Sequence, residues 1–253
     1  MHDRSGCATL IDMAAQGDPA IDPGIDARPA GLRSPSAWNR LRELRLGLDL
    51  PMFALRSPAL FTTPTGDGRA TMLIPGFKTS DRSLVPLRTF LATRGHDARE
   101  WGFGTNVGDI NDLLERTKHR VVALAEETGR PVNLVGWSLG GVYAREAARD
   151  LPGRVHRVAT MGTPLWGPRH TVGAGFYSDD ELTAIDEQIA ERVNRPIERP
   201  ILTVYSRNDG VVDWRACPDE LSPDVTNVEV SSGHIGMGID PVVWRRVAEF
   251  LAA

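Results

Sequence analysis

The chain is short of the residues that several functional classes require. Only two cysteines occur among 253 residues, Cys7 and Cys217. They make no disulfide framework and fit no metal-ligand spacing, so two free, reduced thiols are expected. No stretch approaches the roughly 20 apolar residues that a spanning helix needs, so no integral membrane segment is expected. The opening "MHDRSGCATLIDMAAQG" also lacks the unbroken apolar core of an export signal, because Asp12 and Gln16 interrupt it. A cytoplasmic protein is therefore expected. The two signs of charge nearly balance as well: 29 Lys and Arg against 33 Asp and Glu give a formal net charge of only −4, which leaves no electrostatic footprint for nucleic acid or an anionic membrane. Internal repeats and low-complexity tracts are missing.

What remains is the make-up of an ordinary globular protein, 41% hydrophobic and 25% charged. A chain of this length can bury one sizeable core. Gly, Pro and Asp crowd residues 17–31, so residues 1–35 read as a flexible N-terminal arm and 36–253 as a single domain. "SAWNRLRELRLGLDL" predicts an amphipathic helix from Ser36, with Trp38, Leu41 and Leu44 on one side and a solvated arginine face.

From residue 69 strands and helices alternate. "ATMLIPG", "PVNLV", "RVATMG", "ILTVY" and "TNVEV" read as strands. Between them, "SLVPLRTFLATRG", "INDLLERTKHRVVALAEETG" and "GGVYAREAARDLPG" read as helices, the first two closed by Gly95 and Gly129. "DPVVWRRVAEFLAA" closes the chain as a helix, with Asp240 as N-cap and Pro241 at its first position. The class is α/β: a mostly parallel sheet with helices on both faces.

One stretch carries chemistry. "VNLVGWSLGGVYAREAARD" runs a strand through Gly-x-Ser-x-Gly directly into a helix. A turn this sharp presents its serine, Ser138, above the carboxyl end of the strand and at a helix N-terminus. Gly136 and Gly140 are needed where a Cβ would strike the neighbouring strand or helix, and Gly141 lets the helix lie close to the sheet. The bare pattern also arises by chance as a glycine-rich turn, so its weight rests on the flanking strand and helix.

A serine needs a base, itself oriented by an acid. Of six histidines, only His234 in "VEVSSGHIGMG" follows a strand downstream of the serine and of a suitable acid. His119 sits in a helix and His156 at a strand entry, both structural places; His170 is a weaker rival. Asp209, one short turn after "ILTVY", is favoured as the acid. Asp213 reads as a helix cap. Oxyanion donors are expected from the backbone N–H of Leu139, directly after the serine, and of Phe77 in "LIPGFKTSD", although Pro-Gly there also suits a plain strand-ending turn.

These motifs resemble the α/β-hydrolase superfamily and its lipase and esterase branch. "LVGWSLGG" is similar to the serine elbow, "LIPGF" to the oxyanion loop, and "TMGTPLWGP" to the segment after the next strand. "YSRNDGVV" and "VSSGHIGMG" are similar to the acid and histidine loops. All five lie in order within residues 69–252. The resemblance implies carboxylic-ester hydrolysis through Ser138, Asp209 and His234, with no metal and no organic cofactor. Two departures bear on the acyl pocket. Pro75-Gly76 stands where many lipases have His-Gly, and Trp137 stands where many relatives have His.

Between "GTPLWG" and "PILTVY", at about 165–199, lies a short insert where this fold often carries a cap. In it, Ser178 and Glu181 form a capping box, and Leu182, Ile185, Ile189 and Val193 form one stripe. The stripe either lids the acyl site or merely covers core; as a lid it would bring Phe176, Leu182 and Ile185 to the substrate beside Trp137. The expected partner is a small-molecule or lipid ester. Acyl transfer, thioester cleavage and peracid formation use the same acyl-enzyme and stay open, as does a non-catalytic binding module on the same scaffold. Oligomeric state is not readable.

Overall fold

In the computed structural model the chain is described over residues 28–43, 57–193 and 195–253. Among the described residues six strands make one sheet: β1 (Ala70–Ile74), β2 (Asp97–Glu100), β3 (Val132–Trp137), β4 (Val155–Met161), β5 (Ile201–Tyr205) and β6 (Val225–Glu229). Their order is β2-β1-β3-β4-β5-β6, and every pairing is parallel. The expected α/β class with a parallel sheet is the observed one.

Apolar runs such as "ATMLI" and "VNLVGW" are buried along their whole length, because helices cover both faces. Successive side chains then serve opposite layers. Met72, Ile74 and Leu134 pack with α3 (Ile110–Thr128) and α4 (Leu139–Asp150). Leu73 and Val135 pack with α2 (Asp81–Thr93) and with α6 (Pro241–Ala252).

Strand β2 was not expected. Its sequence, "DARE", has no apolar alternation. It is the edge of the sheet and half-exposed, so no hydrophobic pattern was required of it; pairing of Ala70–Leu73 with Asp97–Glu100 makes it a strand.

The order of strands places the site. From β1 the chain moves outward to β2, then returns to the other side of β1 as β3. At such a reversal the loops leaving the two neighbouring strands diverge and open a crevice above their carboxyl ends. Ile74 is level with Gly136 in this pair, so the Pro75–Lys78 loop emerges beside Trp137 and Ser138.

The expected N-terminal helix is present as α1 (Ala37–Arg42), capped by Ser36, whose side chain accepts from Asn39 N–H. Its orientation is the reverse of the one expected. Trp38 and Leu41 are 62% and 59% exposed, and the polar Asn39 and Glu43 face the body of the protein. Leu44 lies outside the described residues, as do Cys7 and residues 1–27 of the expected arm. Just before this helix, Leu32 packs against the cluster around Trp166 and Val212, and Arg33 N–H donates to Asp213 at 2.7 Å. Between β4 and β5 run two 3-10 turns, Pro168–His170 and Val172–Phe176, and helix α5 (Asp179–Val193).

Candidate active site

Ser138 occupies the N-cap of α4 with φ +54° and ψ −124°. Among the described residues, it and Lys78 (φ +58°) are the two non-glycine residues with positive φ. Each conformation costs on the order of 1–3 kcal/mol and persists only under outside constraint. For Ser138 the constraint is visible. Its N–H donates to Met161 C=O at 2.8 Å, and its C=O accepts from Gly141 N–H at 2.9 Å and from Thr163 Oγ1 at 3.1 Å.

The elbow glycines match the close approaches expected of them. A Cβ at Gly136 would run into Gly140 and Gly141, one at Gly140 into the carbonyl of Ile74 at the end of β1, and one at Gly141 into Thr163. The first turn of α4 therefore lies directly on the ends of β1 and β3.

The loop after β1 is pinned from behind by Asn106, which is fully buried. Its Nδ2 donates to Pro75 C=O at 2.9 Å, and its own C=O accepts from Lys78 N–H at 2.8 Å. A Cβ at Gly76 would stand 3.2 Å from Ser138 Cβ, so the loop backbone rests against the serine. The N–H groups of Phe77 and Leu139, the two expected oxyanion donors, have no acceptor among the described residues.

Asp209 and His234 are brought together. Asp209 Oδ2 and His234 Nδ1 are 2.7 Å apart, with side chains 1% and 5% exposed. The other carboxylate oxygen of Asp209 accepts from Val211 N–H and Val212 N–H, both at 2.7 Å, which fixes the carboxylate in its own loop. Burial by itself disfavours the imidazolium, but the Asp209 charge and hydrogen bond, with a further contribution from Glu43, outweigh it. The His234 pKa is raised above the ordinary imidazole value.

Asp213 has the capping role expected of it. Its side chain accepts from Arg215 N–H at the start of a short 3-10 turn, and from Arg33 N–H. His170 turns its backbone carbonyl to Asp213 N–H at 2.9 Å.

One cavity of about 390 Å³ is lined by Phe77, Ser138, Leu139 and His234 together. Ser138 Oγ has no hydrogen-bond partner among the described residues, so its contact with the imidazole is not closed here. Trp137 lies in the same wall, and its Nε1–H donates to His234 C=O at 3.3 Å. Phe176 and Ile185 also line the cavity. Leu182 does not: it is buried, and on its helix Ile185, Gln188, Ile189 and Arg192 form the wall instead. Ser178 and Glu181 form the expected capping box, Ser178 N–H donating to Glu181 at 2.8 Å and Glu181 N–H to Ser178 Oγ at 3.3 Å.

No family model matches the chain. Over 148 residues it is 24% identical to a pimeloyl-[acyl-carrier protein] methyl ester esterase of Shewanella woodyi, an alignment covering 56% of this chain and 55% of the relative. The chain thus spans about half the length of that relative. Among solved structures, one from the metagenome-derived lipolytic enzymes LipS and LipT superposes with a TM-score of 0.58 at 18% identity. It covers 75% of this chain and 95% of its own. Mouse alpha/beta hydrolase domain-containing protein 10 superposes with a TM-score of 0.52 at 18% identity, covering 72% and 89%. The chain has the α/β-hydrolase fold.

Two residues at the site had no signal in the sequence. Asn106 sits in a loop of "TNVGD", and Glu43 near the end of a short helix nearly a hundred residues before the serine. Neither belongs to a recurring motif. No helix among the described residues is long and apolar enough to cross a membrane.

Proposed function

We propose that this α/β-hydrolase is a serine carboxylic-ester hydrolase, an esterase or lipase working through an acyl-enzyme. Ser138 Oγ attacks the ester carbonyl while its proton passes to His234 Nε2. The carbonyl π electrons move onto oxygen, which takes hydrogen bonds from the N–H groups of Phe77 and Leu139. Collapse of the tetrahedral adduct breaks the bond to the alkoxy oxygen, and the imidazolium returns the proton to that leaving alcohol. Water then repeats the sequence on the acyl-serine, giving the acid and free Ser138. Asp209 stays ionised throughout, holding the Nδ1–H tautomer and stabilising the imidazolium.

The single observation that carries this reading is the 2.7 Å Asp209–His234 pair, whose imidazole lies in the wall of the cavity that also exposes the strained Ser138. Two unspent N–H donors stand beside that serine. A silent binding module would have no use for them or for the strain. Serine–imidazole contacts are often long without substrate and tighten once the carbonyl is bound, which accounts for the open Oγ. The LipS and LipT structure and the Shewanella woodyi protein carry names of ester-cleaving enzymes, in keeping with this chemistry.

The insert between β4 and β5 acts as a cap over the acyl site, with Phe176 and Ile185 as acyl contacts and Trp137 below them. The test is covalent labelling with a fluorophosphonate, followed by peptide mapping, alongside turnover of p-nitrophenyl esters of graded acyl length. Labelling at Ser138 and loss of turnover in Ser138→Ala are expected; full turnover by that variant would remove Ser138 from the mechanism. Release of free acid, and not of a new ester, in the presence of added alcohol would separate hydrolysis from acyl transfer.

A further inference from the structure

Glu43 stands just past α1, far in sequence from every motif, yet its carboxylate meets the two loops that carry the acid and the base. Oε1 accepts from Gly210 N–H at 2.8 Å and from His234 N–H at 2.6 Å. Oε2 accepts from Ile235 N–H at 3.0 Å. Gly210 directly follows Asp209, so one side chain bridges the loop after β5 and the loop after β6. Asn39, four residues earlier and therefore on the same helix face, adds to the clasp: its Nδ2 donates to the carbonyls of Arg207 at 3.0 Å and Asp209 at 3.3 Å.

The loops are shaped to receive this helix. A Cβ at Gly210 would come 2.5 Å from the carbonyl oxygen of Asn39, and one at Gly233 would come 2.9 Å from Glu43 Oε1. An incidental surface contact would not find glycine at both places and three backbone donors converging on one carboxylate. Charge-assisted bonds of this kind are roughly twice as strong as neutral ones.

We propose that Glu43 is a positioning residue of this active site, fixing the Asp209 and His234 loops against each other and lending its negative charge to the imidazolium. It touches no substrate and acts through His234. The inference rests on the triad reading above and adds a fourth member to it.

The charged surroundings allow that role. Asp209 and Glu43 are the acidic groups acting on the His234 ring, both favouring its protonated form. Beyond Asp209 lie the buried Cys217 thiol and Asp213. Arg207, the nearest cation of the acid loop, is turned away, paired with Glu229 and set over the Trp214 ring. Arg40 of α1 is bonded to Pro35 C=O. Neither cation is placed to cancel Glu43.

Glu43→Gln keeps the shape and one acceptor oxygen but removes the charge. In the full chain, kcat for a p-nitrophenyl ester is expected to fall about tenfold, as for other loss of an orienting partner, with KM within about twofold. The acid limb of the kcat profile, and the His234 imidazole titration followed by NMR, are expected to move down by roughly half a pH unit. Gly233→Ala, whose methyl displaces the carboxylate while leaving Glu43 in place, is expected to act in the same direction and covers the case in which Glu43→Gln does not fold. Asp67→Ala breaks a charge cluster with Arg69 and Arg130 before β1, at the opposite end of the sheet; it is expected to lower Tm without moving either titration.

Wild-type kcat and an unmoved titration in Glu43→Gln would overturn the inference. So would an equal movement in Asp67→Ala, which would make the effect one of general stability. The NMR titration is read without turnover. If Ser138 proved unnecessary, the triad reading would fail while the titration still decided whether Glu43 acts on the imidazole.

Discussion

The indole N–H of Trp137 donates to the backbone carbonyl of His234 at 3.3 Å. The residue before the proposed nucleophile thus holds the chain that carries the proposed base, and the two rings lie 6.0 Å apart.

Trp137→Phe keeps an aromatic wall but removes that donor. With a net hydrogen-bond contribution of about 1 kcal/mol, kcat/KM is expected to fall roughly fivefold, most of it in kcat. Steady-state kinetics on short acyl esters would check this, and an effect confined to KM would assign Trp137 to substrate contact alone.

Asp209→Asn and Asp213→Asn should behave differently although both side chains are buried. The first leaves the imidazole without its charged partner and is expected to cost on the order of a thousandfold in kcat. The second weakens the cap at Trp214–Ala216 and is expected to cost about 1 kcal/mol of stability with activity largely retained. Parallel denaturation and kinetics separate the two; the opposite ranking would transfer the acid role to Asp213.

Activity should depend on pH with the base limb of His234 displaced upward. The raised pKa means that the neutral, proton-accepting imidazole forms only above the ordinary value near 6.5, so kcat/KM is expected to climb through a midpoint above that value. For stability the sign is reversed. The favourable charge on folded His234 contributes fully below the unfolded value and is lost as pH rises through the folded one. A midpoint below 6.5 in the rate profile would contradict this.

Arg145, which reaches the wall of the cavity, forms a buried ion pair with Asp219, 2.6 Å apart with side chains 6% and 1% exposed. Burial would push the Asp219 carboxyl up, but Arg145 and the N–H groups of Leu221 and Ser222 hold it down to about 2. Its contribution is therefore present above the unfolded value near 3.9 and is lost as pH falls through about 2. Arg145→Met strands that carboxylate and is expected to cost about 3–5 kcal/mol at neutral pH. Urea denaturation at neutral and acid pH would measure it, with the gap between variant and parent closing under acid.

Ile185→Trp should shorten the acyl preference. Ile185 projects from α5 into the cavity wall, and an indole there would occupy a large part of about 390 Å³. On a series of p-nitrophenyl esters the optimum is expected to move to shorter chains with little change on the shortest. An unaltered profile would mean that α5 covers core without touching substrate.

Much of this was legible in the sequence because it is local. An elbow needs glycine where backbones touch, and Gly136, Gly140 and Gly141 are where a Cβ would collide. Buried parallel strands need unbroken apolar runs, so β1 and β3 announced themselves. Edge strand β2, polar and half-exposed, did not. Asp209 and His234 were legible as positions after strands, but the 2.7 Å between them comes from the loops' packing. Leu182 belonged to the right stripe and still missed the cavity, since a stripe gives a direction and not an extent.

By itself the sequence determined the α/β alternation, the strained serine turn and the two loops that could supply a base and an acid, since each follows from nearest-neighbour sterics and hydrophobic period. Only the tertiary structure decided that α1 turns Asn39 and Glu43 inward and leaves Trp38 exposed. Amphipathic reasoning predicts the reverse, because it weighs burial of apolar surface and cannot see three unpaired backbone N–H groups waiting on loops 167 to 192 residues away. Leaving such donors unmet in a half-buried cleft costs more than exposing one indole and one leucine.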